Sequence, residues 1–487
     1  QLIELIKAYG FVTVQQAFLI LYSLIRTKVI SSNLGAEGLG IFAQTNILLL
    51  LFFQLATFGT TVALNTSVAE LVRKNEKKKL SGLIAMVWGV NNLVGLVILA
   101  GAGIFADQLS IWAFGSTQYS RYIFIAALGG FTFIQVRFLV NVMRGLMEWR
   151  AYSLISSAGL LLGIGIIIYL VISYGLDGAI YSLVGIQLVN LVLMLFFFIT
   201  SVTKKHEINF RSIQLNQQLL FNVFRIARPV MVILIIEPVA GFLIRSNIIR
   251  ALGINAGGEY QLLAGLSMAY MNVLKEARLT YALSKASSLL DDRVELMRMQ
   301  NNNIRLGLFL ILPLTVALLA VRENIILLLY SPQFLVVSNL LLFQFIGDIL
   351  NVVRLNLNFV LIPLKLYRVY LIEGLAYWVG WVFLSAILMR WLGLIAVPLS
   401  GIIVTGFILI FSLMYHYKSF GFRIDRVTKR SLLLLVPLGA VGYWWSISIP
   451  PGWFRYGCVA VVLLGIFLLM IRQGAHKLLL GSRKSIK

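Results

Sequence analysis

The fold is decided by residues 25–42, IRTKVISSNLGAEGLGIF. A hydrophobic run carries the chain to Arg26 and Lys28, a turn-forming stretch follows over 33–38, and a second hydrophobic run starts at Leu39. The arrangement returns at 244–260, IRSNIIRALGINAGGEY, where Leu252-Gly253 stands 218 residues after Leu34-Gly35. At the same spacing Arg150 and Tyr152 match Arg368 and Tyr370, Gly175-Leu176 matches Gly393-Leu394, and Ser182 matches Ser400. The segments LSIWAFGSTQY and IILLLYSPQF match at a slightly different spacing, so a small insertion is expected between the third and fourth spans of each half. The chain therefore reads as two related halves.

Composition sets the class. Sixty per cent of the 487 residues are hydrophobic and 12% are charged, against about half and a quarter in a soluble domain. Run after run reaches the roughly 20 apolar residues that a helix needs to cross a hydrocarbon core about 30 Å thick. The runs are continuous and rich in Leu, Ile and Val, so the spans are expected to be helices and not strands of a barrel. This is an all-α polytopic membrane protein with about fourteen transmembrane helices. The runs cover roughly 10–30, 40–66, 82–104, 119–141, 151–173, 178–200, 220–248, 259–282, 304–321, 335–361, 368–389, 393–416, 431–449 and 454–471. Six spans per half is an even number, so the halves share one topology: two parallel six-helix bundles, related by an axis along the membrane normal, plus two C-terminal helices. The lobes are expected over 1–203 and 218–417, with the extra pair and a basic tail over 418–487.

The net charge of +23 follows this topology. With the N-terminus placed inside, 27 Lys and Arg fall in inner segments and 5 (Arg121, Arg250, Arg322, Arg390 and Arg455) in outer ones. This is the positive-inside pattern, and it puts both termini in the cytoplasm. The positive charge meets anionic lipid heads, and nucleic acid is not needed to explain it. Cys458 is alone and can form no internal disulfide, and the three histidines show no metal-ligand spacing. No cleavable leader is expected, because the start lacks a small-residue cleavage site. Nucleotide-binding and hydrolase motifs are missing, and no loop is long enough for a soluble catalytic domain. No enzymatic activity, cofactor or metal is expected.

Polar residues inside spans are costly in lipid and tend to face a cavity. Gln15, Tyr22 and Arg26 share one face of the first span, with Lys28 nearer its outer end. The seventh span carries Glu237 near its middle, Arg245 in its outer half and Arg250 beyond, and Pro229 and Pro238 predict a bend. Arg245 falls one position from Arg26 under the repeat. The fourth span ends in a stripe, Arg137, Asn141, Arg144 and Glu148, and its counterpart, the tenth, carries Asp348, Asn351, Arg354 and Asn358. For each, a plain alternative stands beside the functional one: basic side chains snorkel to head groups, deep carboxylates form structural ion pairs, and amides join helices.

The hairpin LGAEGLGIFAQ after a basic helix end, its echo in the second half, the turn YGLDGAIYS and the segment LLLYSPQF resemble the Wzx-type polysaccharide and O-antigen flippases. That family belongs to the multidrug/oligosaccharidyl-lipid/polysaccharide (MOP) exporter superfamily. Its hairpin usually has Pro where Ala36 stands here. The resemblance covers most of residues 10–416. It implies two six-helix bundles around a central cavity lined by helices 1 and 7. The implied substrate is an undecaprenyl-diphosphate-linked oligosaccharide, carried from the inner to the outer leaflet of the bacterial inner membrane by alternating access and ion coupling. It implies a polysaccharide polymerase and a chain-length regulator as partners. On this reading Arg26, Arg245, Tyr22, Gln15, Lys28 and Arg250 are candidates to bind substrate, Glu237 and Asp348 to couple an ion, and Arg137, Asn141, Arg144, Asn351 and Arg354 to form a polar inner gate. A lipid II flippase of the same superfamily and a multidrug/cation antiporter remain alternatives, and the excess of arginine over mid-membrane carboxylate favours an anionic substrate.

Overall fold

The computed structural model describes residues 2–209, 216–277, 285–286, 289–290 and 292–472. Arg211 and the basic residues beyond Arg472, counted above on the inner side, lie outside them. The described chain is helical with no strand. It divides into two compact units, Gln1–Gly258 and Glu259–Lys487. The seventh span thus packs with the first unit.

In the first unit α1 covers Leu2–Thr57, α2 Thr60–Arg73, α3 Lys77–Ile104, α4 Ala106–Phe114, α5 Ser120–Gly145, α6 Trp149–Phe197 and α7 Gln217–Leu252. α8, Ile254–Ala277, starts at its edge. In the second unit α9 covers Arg293–Ala320, α10 Arg322–Leu329, α11 Leu340–Asn358, α12 Tyr367–Leu392, α13 Ala396–Phe420, α14 Arg426–Ser448 and α15 Trp453–Arg472. Among the described residues nine helices are long and apolar enough to cross a membrane, and three of these run to 43, 57 and 54 residues. Each apolar run in the sequence is helical over most of its described residues, and α7 stays helical through Pro229 and Pro238.

The long helices are double. A straight α1 of 56 residues would measure about 84 Å, well over twice the hydrocarbon core. It breaks at Gly35, with φ 69° and ψ −161°. The chain doubles back there, because Arg26 and Phe42, about 24 Å apart on one straight helix, are in contact with 5.3 Å between guanidinium and ring centre. α6 breaks in the same way at Gly175 (φ 57°, ψ −129°). The residues 218 positions later repeat both conformations: Gly253 at φ 92°, ψ 168° and Gly393 at φ 61°, ψ −143°. A side chain is excluded from this region of backbone space, so glycine identity here is a requirement of the turn.

A third pair fixes the repeat without glycine. Met147 and Lys365, again 218 apart, sit at φ 63° and 59° and close α5 and the 3-10 turn after α11. The two backbone bonds of the cap are the same, Glu148 N to Met143 O and Met147 N to Arg144 O in one unit, Leu366 N to Leu361 O and Lys365 N to Ile362 O in the other. Between these anchors the spacing slips. It is 216 at the residues preceding α3 and α9, Glu76 and Asp292, and at the joints Phe105 (φ −100°, ψ 21°) and Val321 (φ −106°, ψ 18°). It is 215 at Ser116 and Ser331, which open the 3-10 turns that follow. The expected insertion between the third and fourth spans is therefore one of several steps, and the first precedes the third span.

One crossing in the first unit is closer than side chains allow. A methyl group on Gly40 would meet Ile254 O at 2.4 Å, and one on Gly258 would meet Ala36 O at 1.9 Å. Gly258 is the repeat partner of Gly40, and Ile254 that of Ala36. The contact is self-complementary, each glycine lying against the carbonyl next to the other. Elsewhere the unit packs on small residues of the same kind, with Gly145 against Val68 and Gly159 against Asn190.

Basic ends converge in the first unit. Lys77 pairs with Glu207 at 2.7 Å and Lys205 with Glu148 at 2.7 Å. At the other end of that unit the Arg250 stem lies 3.5 Å from where a Cβ on Gly115 would sit.

Candidate functional site

The kink at Gly35 builds the first candidate site. It returns Phe42 to Arg26, whose guanidinium lies between two rings, 5.2 Å from the centre of Tyr22 and 5.3 Å from that of Phe42. Tyr22 is buried, its ring beside Gly163 of α6. Arg26 is half-buried. Its Nε is buried without an acceptor, and no carboxylate pairs with it among the described residues. Gln15 lies further along α1, and its Oε1 likewise has no donor among them. Lys28 is half-buried. Two aromatic faces attract a cation without engaging its N–H donors, so Arg26 is a charged donor with no carboxylate partner among the described residues.

Arg245 is 6% exposed on α7. The residue after it, Ser246, accepts a 2.8 Å hydrogen bond from the Gln44 amide, which also donates to Ala113 O at 3.2 Å. Gln44 is fully buried, and it ties α7 to the returning half of α1 and to α4. Arg250 is exposed and turns back on its own helix, donating to Asn247 Oδ1 at 2.9 Å and Ser246 O at 3.3 Å. Glu237 is exposed on α7.

The fourth-span stripe separates into two parts. Arg137 lies over Phe133 at 5.7 Å and Arg144 over Tyr152 at 5.0 Å. Asn141 is buried and donates to Arg137 O at 2.7 Å. Neither arginine has an acidic partner among the described residues, and Arg144 Nε has no acceptor there. Glu148 takes Lys205 at 2.7 Å and His206 at 2.8 Å.

In the second unit Asp348 is buried and collects donors from two helices: Ser267 Oγ at 2.5 Å and the Tyr270 hydroxyl from α8, and Gln344 Nε2 at 3.2 Å from its own α11. One turn on, Asn351 accepts from Arg354 Nε at 3.0 Å. The Arg354 guanidinium forms an ion pair with Glu373 of α12 and covers the Tyr377 ring at 4.1 Å. Both charged partners are over nine-tenths buried. Below them His416 Nε2 meets Asn358 Oδ1 at 3.1 Å, and Asn358 Nδ2 donates to Ser412 at 3.1 Å.

Two features escaped the sequence reading. Glu373 is a charge inside an apolar run, and that signal alone would have singled it out. Arg322 and Arg455, taken as outer-loop residues, lie in α10 and α15 and are buried. Arg455 is 1% exposed and holds Glu323 at 3.0 Å, while Arg322 donates to Ser446 O at 2.6 Å. The repeat gave no sign of this cluster, because α14 and α15 lie outside it.

The described helices have the fold of solved transporters of the MOP superfamily. An inward-facing multidrug resistance MATE family transporter of that superfamily aligns with TM-score 0.68 at 15% identity, over 87% of this chain and 99% of that one. The lipid II flippase MurJ, in its inward closed conformation, aligns with TM-score 0.67 at 14% identity, over 96% and 99%. By sequence, the lipid III flippases of Escherichia coli (strain K12) and Shigella flexneri are each 22% identical over 348 residues, 71% of this chain and 82% of theirs. The profile of the family described as polysaccharide biosynthesis protein matches residues 34–339, more than half of the chain. The protein belongs to that family.

Proposed function

We propose that this protein is a flippase for an undecaprenyl-diphosphate-linked oligosaccharide, an O-antigen unit or a related glycan, moving it from the inner to the outer leaflet of a bacterial inner membrane. The observation that carries the reading is Arg26, a cation within a span, sandwiched by Tyr22 and Phe42, with no carboxylate partner among the described residues. A diphosphate cannot cross hydrocarbon unaided, and the planar guanidinium matches its oxygens with a fork of donors. The names of the curated relatives, lipid III flippases, support a lipid-linked substrate.

Arg26 and Arg245 bind the diphosphate, with Tyr22, Gln15, Lys28 and Arg250 lining its path. Arg137 and Arg144 on α5 draw the head group in from the cytoplasmic side, with Asn141, Asn351 and Arg354 as the polar lining of the inner gate. The polyprenyl tail stays in lipid. The six-helix lobes 1–203 and 218–417 alternate access, and both termini are cytoplasmic. Asp348 is the coupling group. A buried carboxylate within a span, accepting hydrogen bonds from a phenol, a hydroxyl and an amide N–H, is the kind of group that exchanges a proton or sodium ion along such a path, with Glu237 as the second carboxylate of the path. The polysaccharide polymerase and chain-length regulator take the product on the outer side.

The test is complementation of a flippase-deficient strain, with membrane levels of each variant checked. Arg26→Ala should abolish glycan export and cause lipid-linked glycan to accumulate in the inner leaflet, and Arg26→Lys should restore it only in part. Parental export by Arg26→Ala overturns the reading.

A further inference from the structure

The C-terminal helices carry a site that the flippase reading does not use. Arg426 and Arg430 stand about one turn apart on α14, and Arg472 ends α15 beside them. With Val427, Leu434 and Leu469 they line a groove of about 340 Å³. All three arginines are exposed, and among the described residues none makes an ion pair. The nearest carboxylate in sequence, Asp425, caps α14 by accepting from Thr428 N at 2.6 Å. Lys429 and Arg423 add positive charge, and Arg423 is turned onto Tyr417 at 5.6 Å. The groove lies at the basic end of the unit, where Asn301 donates to Arg423 O at 3.1 Å and accepts from Asp425 N at 3.0 Å.

The groove has two chemistries in order along the helices. Three guanidiniums form its mouth, and Leu434 and Leu469, about one turn deeper, form an apolar wall. A free phosphate would leave the wall unused, and a zwitterionic lipid would bring no net charge to three cations. We propose that this groove binds an anionic glycerophospholipid, with the phosphodiester on Arg426, Arg430 and Arg472 and an acyl chain along Leu434 and Leu469. Basic pockets between helices on the cytoplasmic side bind such head groups by Coulomb attraction and charge-assisted hydrogen bonds.

The full-length protein in nanodiscs of phosphatidylcholine with a minor share of phosphatidylglycerol gives the test, read as phosphatidylglycerol retained per protein by native mass spectrometry. Retention should fall about fivefold for each arginine changed to glutamine, down to background in R426Q/R430Q/R472Q. The control K77Q/K78Q/K79Q, which removes an equal charge elsewhere at the cytoplasmic side, should retain lipid as the parent does. The substituted arginines are exposed, and thermal unfolding of the triple variant should match the parent. Equal losses in both triple variants would reduce the site to diffuse surface attraction and overturn the proposal. So would parental retention by R426Q/R430Q/R472Q, or displacement of phosphatidylglycerol by undecaprenyl diphosphate at equal concentration. The readout is lipid retention and not export, so its failure leaves the proposed function standing.

Discussion

Glu373 and Arg354 meet where both are shielded from lipid and water. Desolvating such a pair costs nearly as much as their attraction returns, but losing one partner strands the other charge, typically at 3–5 kcal/mol. Glu373→Gln should therefore lower stability by about 3 kcal/mol, read as a lowered thermal midpoint of the purified protein, and adding Arg354→Met should recover much of the loss. Glu148 offers a pH test. Burial raises its carboxyl pKa, but hydrogen bonds and charge from Lys205 and His206 outweigh it, and the net shift is downward from 4.5. A lowered folded value means stability that is present above the unfolded value and lost as pH falls through the folded one. Between pH 7 and pH 4 the parent should lose more thermal stability than Glu148→Gln. At this scale the sequence was half legible. It located Arg26, Arg354 and Asp348 as polar intrusions into apolar runs. It could not name their neighbours Phe42, Glu373 and Tyr270, since each partner lies on another helical segment and no spacing rule links them.

Helices are where the repeat becomes physical. The four glycines at 35, 175, 253 and 393 were visible as matching Leu-Gly and Gly-Leu pairs, and backbone sterics explain why those identities persist while polar residues between them differ. Met147 and Lys365 share a conformation without sharing a residue type, so that anchor was invisible in the letters. Gly175→Ala and Gly393→Ala should each destabilise by about 1–3 kcal/mol through strain alone, and Gly165→Ala, in a helix with open space at the Cβ position, should be neutral. Comparing the thermal midpoints of the three variants checks this.

Within the first unit, basic segments far apart in sequence gather at one end, as Lys77 with Glu207 and Lys205 with Glu148 show. Gly115 and Arg250 adjoin at the other end of the first unit. Reporters fused at Gly115 and Ile254 should therefore read the same side, the outer one, and reporters at Lys78 and Arg293 the cytoplasm. A split between Gly115 and Ile254 would contradict the packing as well as the charge rule. Composition made the class and the all-helical architecture legible from sequence. The division at Gly258, after α7, was not legible, because compactness depends on which side chains meet and not on where a repeat starts.

The crossing of Gly40 and Gly258 bears on ancestry. A contact that maps onto itself when the halves are exchanged is the contact two copies of one half would make with each other. If the gene arose by duplication, its parent needed a single glycine there, and one codon change would have been felt twice in the assembled pair. After fusion the two positions are inherited separately, and both are glycine in this chain. Each glycine faces a backbone carbonyl, which no substitution on the opposite strand of the crossing can move aside. Drift that has left the halves with unrelated polar residues should leave these two positions unchanged together.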